Sequence, residues 1–212
     1  MWVVKLGGSL LGAPELKHWL EVLVKFSDGK IIIVPGGGIF ADAVREAQQL
    51  SSISDAVAHQ LALKAMDQFG LLLAGMNPDL ITASSELEIA ERGWQHRCIV
   101  WLPSQMVLAD DNVPQNWQVT SDSLSAWLAN KVGATQLILV KSKSLADYAQ
   151  SAPIPIQKMI EDELVDPQFG NAIVGQPYQT WVLNKADYIY FEQTLSLQSL
   201  EQKGLLVAVG AH

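Results

Sequence analysis

The sequence predicts a three-layer α/β/α sandwich built on a mainly parallel central sheet, and three observations lead there. Short β-branched runs alternate with helical stripes almost throughout the 212 residues, the order expected of parallel strands joined by crossover helices. Charged residues make up only 17% of the chain against 49% hydrophobic, a balance that suits a sheet buried on both faces. Glycine-rich turns follow the first two strands, at the carboxyl ends where such sheets bind ligands.

Taken in order, residues 2–6 read as a buried strand. Pro14 suits a first helical position, and Leu16, Trp19, Leu20 and Leu23 recur at helical spacing. Ser27-Asp28-Gly29 makes a turn before the strand at 30–34, "KIIIV". Pro35 and three glycines end that strand, and residues 41–50 resume as helix. Ser54 caps a longer helix on which Ala58, Leu61, Ala62, Ala65, Met66 and Phe69 form one apolar stripe for the core or a subunit interface. His59 and Lys64 lie off that stripe and are expected in solvent. Asn77-Pro78 breaks the pattern, a short helix spans 86–92, and a strand spans 98–102. The loop-like stretch 109–116, "ADDNVPQN", divides the single domain 1–212 into lobes of 1–116 and 117–212. A helix at 122–131, a strand at 136–141 ("QLILVK") and a Pro-rich segment at 152–156 follow. A helix near 159–164, a strand at 180–183 and a closing strand at 205–209 complete the pattern.

Composition removes several classes of function. A net charge of −8 repels polyphosphate backbones and anionic lipid, so neither nucleic acid nor a membrane surface is an expected partner. The single cysteine, Cys98, allows neither an internal disulfide nor a cysteine-built zinc site. No apolar run approaches the ~18 residues of a membrane span. The first strand is interrupted by Lys5 and two glycines, unlike a signal peptide, and the expected location is the cytoplasm.

The chemistry starts at "MWVVKLGGSL". A lysine ending a strand before two glycines can simply reach water. Alternatively, Gly7 and Gly8 let backbone amides approach an anion, and Lys5 adds a positive charge to it. The second turn, Gly36-Gly37-Gly38, also fits a dinucleotide fingerprint, G-x-G-x-x-A. That fingerprint wants an acidic residue at the end of the next strand, whereas Asp55, at the right spacing, begins the long helical stripe. No P-loop, no His cluster with metal-ligand spacing and no G-x-S-x-G elbow occurs. Two facing glycine turns and a lysine are what phosphoryl transfer needs, since it depends on positioning and charge. In "QVTSDSLSAWLANKVGA", Asp122 reads either as a plain helix cap or as a buried carboxylate that holds the Lys5 ammonium in place.

The ordered set "VVKLGGSL", "IIIVPGGG" and "VTSDSLSAWLA" resembles the amino acid kinase family, which includes acetylglutamate, aspartate, uridylate, isopentenyl phosphate and fosfomycin kinases. The resemblance implies that Lys5 stabilises the transferring phosphoryl group, with Gly7, Gly8 and Ser9 lining its path. It implies that Gly36, Gly37 and Gly38 bind phosphoryl group and acceptor, and that Asp122 orients the lysine. The first lobe would carry a small-molecule acceptor and the second ATP with magnesium, in a homodimer or higher homo-oligomer. The family's Thr-Asp-x-x-Gly stretch is here "LVKSKSLADY", and its late glycine-rich segment with a second lysine is missing, so Lys141 or Lys143 would replace that charge. The late "ELVDPQFGNAI…TWVLN" is similar to a small branch acting in methanofuran and tetrahydromethanopterin biosynthesis, whose best-described activity phosphorylates aminomethylfuranyl-methyl phosphate. A phosphate monoester is then the expected acceptor, and Asp67, on the long helix, is the candidate partner for an amine on it. A nucleotide-binding or storage subunit without turnover, or an amino-acid or uridylate-type kinase, is the alternative.

Overall fold

The computed structural model describes residues 1–148 and 153–208. β1 (Trp2–Leu6), α1 (Pro14–Ser27), β2 (Ile31–Pro35), α2 (Gly38–Ser51) and α3 (Asp55–Met76) follow in turn. β3 (Leu80–Ala83), α4 (Glu86–Trp94), β4 (Cys98–Trp101) and a short α5 (Ser104–Leu108) complete the first half. The second half runs α6 (Ser121–Lys131), β5 (Gln136–Lys141), β6 (Ile154–Pro155), α7 (Ile156–Glu161), α8 (Phe169–Ile173), β7 (Gln179–Asn184), α9 (Leu197–Lys203) and β8 (Leu205–Ala208).

The strands form one sheet in the order β3-β4-β2-β1-β5-β7-β8-β6. β1 lies at its centre, parallel to β2 and to β5, with Lys5 beside Val34 on one side and Leu139 on the other. β8 runs antiparallel to β7, and β6 follows β8 in parallel. Alternation along the strands splits the core into two faces. Val3, Ile32, Leu137 and Leu139 pack with α6, α7 and α8, whereas Val4, Ile33, Ile138 and Val140 pack with α1 and α9. These are the three expected layers, and β5 is found at the expected residues.

The differences have local causes. β3 has no counterpart in the sequence pattern because Asn77-Pro78 precedes only four strand residues, two of them partly exposed. The helix expected near 159–164 begins at Ile156, where Pro155 serves as its N-cap. α5, α8 and α9 are at most seven residues long, too short to display a period. Val209 of the closing strand and Ala152 of the Pro-rich segment lie outside the described residues. On α3, Leu61 is 38% exposed and His59 only 4%, the reverse of the expected pair. Leu61 stands about 60° round the helix from Ala58, off the faces the helix buries, while Lys64 is exposed as expected. Among the described residues no helix is long and apolar enough to cross a membrane.

Glycine is required where the first two turns meet. The Gly36 amide donates to the Leu6 carbonyl at 2.9 Å. A Cβ on Gly8 would stand 2.1 Å from the Gly38 nitrogen, and one on Gly36 would stand 2.3 Å from the Gly8 nitrogen. The turns therefore pack backbone on backbone, with Gly38 in the left-handed region at φ +55, a conformation that glycine adopts without strain.

Candidate active site

Period-two alternation places Lys5 on the same face of β1 as Val3, and Lys141 on the same face of β5 as Leu137 and Leu139. That face is covered by α6, whose first turn carries Asp122. Lys5 Nζ lies 2.9 Å from Asp122 Oδ1, and Lys141 Nζ donates to both carboxylate oxygens at 2.7 and 2.8 Å. All three side chains are buried, so Lys5 does not reach water as a plain strand-end lysine would.

Burial alone would raise the Asp122 pKa, but the Lys141 and Lys5 charges and their hydrogen bonds prevail and hold it at about 2. Burial pushes Lys141 down to about 8, against the pull of Asp122 and with the repulsion of Lys5. Two cations thus share the Asp122 carboxylate, and the buried Asp166 carboxylate at the start of α6 is the next charge to act on Lys141. Ammonium groups hold three donors each, so donors remain at the strand ends for an anionic ligand.

Asp122 is not the helix cap. Thr120 is the N-cap, and its side chain makes no capping bond. The cap comes from Asp166, whose carboxylate accepts from the Thr120 amide and hydroxyl at 3.0 and 2.8 Å, from the Ser123 amide at 3.0 Å, and from the Ser123 hydroxyl. No local signal marks Asp166 in the sequence, because it lies 43 positions beyond Ser123 and only the fold brings it to the helix. Asp122 is thereby left free for the lysines.

Ser9 and Ser142, beyond the ends of β1 and β5, join hydroxyls at 2.9 Å. A cavity opens beside each. The one on the Ser9 side, about 400 Å³, is walled by Gly8, Gly37 and Gly38, by α2 and α3, and by the start of α6. The one on the Ser142 side, about 490 Å³, runs past Asn184 and Asp187 to Lys203. Gly7, Gly8, Ser9, Gly36, Gly37, Gly38, Lys5, Asp122 and Lys141 therefore gather at one end of the sheet.

Two expected site residues stand apart. Lys143 is exposed and donates to the Asp162 carbonyl, so of the two lysines considered it is Lys141 that joins Lys5. Asp67 does not line the cavity. Its carboxylate accepts from the Ser104 amide at 3.1 Å and from the Ser104 hydroxyl, tying α3 to the start of α5, so it is spent on structure rather than on an amine.

The glycines separate by what a methyl group would meet. Gly8→Ala places a Cβ against backbone, so it should cost about 1–3 kcal/mol of stability, as overpacking does, as well as any activity. A Cβ on Gly7 would lie at an ordinary 3.5 Å from Lys5 Nζ, Leu10 and Ser9, with φ at −62. Gly7→Ala should therefore keep its melting temperature and lose turnover, since the methyl occupies space next to the lysine. Thermal unfolding beside steady-state kinetics checks both.

The profile of the amino acid kinase family matches residues 1–144. The chain belongs to that family. A relative in Methanocaldococcus jannaschii, [5-(aminomethyl)furan-3-yl]methyl phosphate kinase, is 33% identical over 145 residues, 66% of this chain. The chain spans 64% of that relative's length. The family's fold recurs in crystal structures. Uridylate kinase from Archaeoglobus fulgidus superposes with a TM-score of 0.69 at 16% identity, covering 98% of this chain and 99% of that one. Aspartate kinase from Synechocystis gives 0.68 at 15% identity, covering 99% of this chain and 40% of that one. Both likenesses speak for the sandwich and its strand order, the part of the family resemblance that identity this low can carry.

Proposed function

We propose that this protein is an ATP-dependent kinase whose acceptor is a small phosphate monoester. The observation that carries the reading is the Lys5–Asp122–Lys141 cluster at the sheet end where two cavities meet at the Ser9–Ser142 pair. The cavity formed largely by residues 1–116 takes the acceptor, and the one formed by residues 117–212 takes the nucleotide.

Gly36, its amide given to the Leu6 carbonyl, serves the packing of the turns. The acceptor's phosphate sits against Gly8, Gly37 and Gly38 at the start of α2, where backbone amides and the helix dipole favour an anion. One of its oxygens attacks the γ-phosphorus in line, the bond from γ-phosphorus to the bridging oxygen breaks, and ADP leaves with that electron pair. Lys5 and Lys141 offset the charge that spreads over the transferring group, and Asp122 fixes both ammonium groups. Asp122 is saturated by two lysines and too acidic to act as a base. A hydroxyl nucleophile would need a base; a phosphate monoester, with a second pKa of about 6, is already ionised at neutral pH. A phosphate or carboxylate acceptor thus fits the site better than an alcohol, and the relative's printed substrate favours the phosphate.

Among the described residues no group of three or more His, Cys, Asp or Glu side chains could hold a metal ion. Magnesium would arrive on the triphosphate, which it binds through phosphate oxygens and water, and the protein's own part falls to its lysines and amides. Val57 and Leu61, one turn apart on α3, are exposed along with Leu50 on α2; a second copy of the chain would cover them in a homodimer.

Since Lys141 must carry its proton to work, kcat/KM for ATP should fall about tenfold per pH unit above about pH 8. Lys141→Met should show a low plateau without that limb. The acceptor class is tested by ADP release with aminomethylfuranyl-methyl phosphate, isopentenyl phosphate, UMP, aspartate and acetylglutamate. Preference for either carboxylic acid would overturn the monoester class, and preference for UMP, itself a phosphate monoester, would make the acceptor a nucleotide; either result leaves the kinase. No ADP from any acceptor, with ATP still bound, would favour the storage or binding subunit.

A further inference from the structure

The wall of the acceptor cavity contains one buried polar group that the phosphoryl-transfer reading does not use. His59 stands one turn into α3, and with Ala62, Leu63 and Met66 it makes an i, i+3, i+4, i+7 row along that wall. The side chain is 4% exposed, and its Nε2 has no hydrogen-bond partner. The two other buried side-chain atoms in that condition among the described residues, on Glu15 and Arg92, lie outside this cavity. Leaving such a group unpaired costs about 1–3 kcal/mol, a cost a ligand can remove by supplying the partner.

Apart from Ser121, which is only partly buried and open to solvent, the other polar side chains of the cavity are already engaged. Arg45 pairs with Asp42 at 2.8 Å and lies 4.6 Å over the Trp117 ring. The Trp117 indole donates to Gln48 at 2.6 Å, Thr120 is held by Asp166, and Ser9 is bonded to Ser142. Burial drives the His59 pKa down, with the Asn116 carbonyl opposing, so the ring is neutral at physiological pH. With Nε2 unpartnered, the tautomer protonated at Nδ1 presents a lone pair at Nε2.

Position indicates which part of a ligand meets it. Phe69 lies 3.8 Å from where a Cβ on Gly38 would stand, so α3 passes the phosphate end of the cavity at that level. His59 is ten residues earlier, about three turns along the helix. It therefore faces the end of the acceptor away from its phosphate, across a wall made apolar by Leu63, Met66 and Leu124.

We infer that His59 determines specificity in this cavity, its Nε2 accepting a hydrogen bond from an amine or hydroxyl carried on the body of the acceptor opposite its phosphate. The inference rests on the phosphate-monoester reading above, and it moves recognition of that group from Asp67 to His59. A site built to pair with a donor discriminates against the analogue that lacks it, because the site's own group is then left unpaired.

The test compares three furanylmethyl phosphates that differ at one substituent, aminomethyl, hydroxymethyl or methyl, in wild type, His59→Leu and His59→Gln. In wild type, KM for the methyl compound should exceed that for the better of the two donors by about tenfold or more, and which donor is better separates amine from hydroxyl. His59→Leu should bring the ratio to within about twofold of unity, and His59→Gln, whose amide oxygen can still accept, should keep most of it. A wild-type ratio near one overturns the inference without any variant, as does a ratio that survives His59→Leu. ADP release from none of the three, when a carboxylic acid does react, removes the monoester reading and this inference with it; when only UMP reacts, this inference falls while a monoester acceptor stands.

Discussion

Replacing Lys5 with methionine is expected to lower kcat by about 10²–10³-fold, the usual worth of one preorganised charge at a developing oxyanion, while the melting temperature stays level or rises. Methionine keeps an apolar stem of similar length inside β1 and removes one of two ammonium groups sharing a carboxylate. Lys141 retains both Asp122 oxygens, so the buried carboxylate keeps a counter-charge. The repulsion that helps to lower the Lys141 pKa disappears with Lys5, and the fall in kcat/KM above about pH 8 should move to higher pH. These three readouts separate the role in transfer from a structural one. Turnover within about threefold of wild type, at any melting temperature, would reduce Lys5 to a counter-ion of Asp122.

What was legible in the sequence is what local pattern encodes. "VVKLGGSL" and "IIIVPGGG" each hold a strand, its end and a turn within ten residues, and the parallel pairing of β1 with β2 sets the two turns together. The reason for their glycines is partly different from the expected one. Gly8 and Gly36 are needed for backbone to pack on backbone, whereas Gly7 keeps space open beside Lys5. Asp122 was legible as a partner of Lys5 because a carboxylate in the first turn of a helix is a local signal. The choice between Lys141 and Lys143 was not, because residues two apart share a face wherever a strand continues, and only the path of the turn after Lys141 carries Lys143 away. Lys141 is the last strand residue and faces α6; Lys143 lies beyond it in the turn. His59 and Asp67 exchanged roles for a related reason. A single apolar stripe on α3 left both off the core, but this helix buries two faces, one on the sheet and one on the cavity. Only the position of α2 tells which polar side chain meets the second face.

Asp122→Asn is the sharpest test of the cluster, because two accounts of the residue predict opposite results. Asparagine caps a helix about as well as aspartate, so a capping role predicts little change in stability or activity. In the structure Thr120 holds the cap position and Asp166 supplies the capping carboxylate, leaving Asp122 as the counter-charge of two buried lysines. Removing one partner of a buried ion pair costs roughly 3–5 kcal/mol, and here the loss leaves two like charges facing each other. The variant should therefore unfold several degrees below wild type and lose phosphoryl transfer, with Lys5 and Lys141 no longer held. The sign of the pH dependence adds a second check. Lys141 already titrates at about 8 in the folded protein against an ordinary 10.5, and without Asp122 its folded pKa falls further. Between that lowered value and the ordinary one the unfolded chain binds more protons, so stability from this group rises with pH. Destabilisation should accordingly be greatest near pH 6 and shrink toward pH 9, where Lys141 sheds its proton and the repulsion ends. Urea unfolding at the two pH values measures it, and an asparagine variant as stable and as active as wild type at pH 6 would remove Asp122 from the centre of the site.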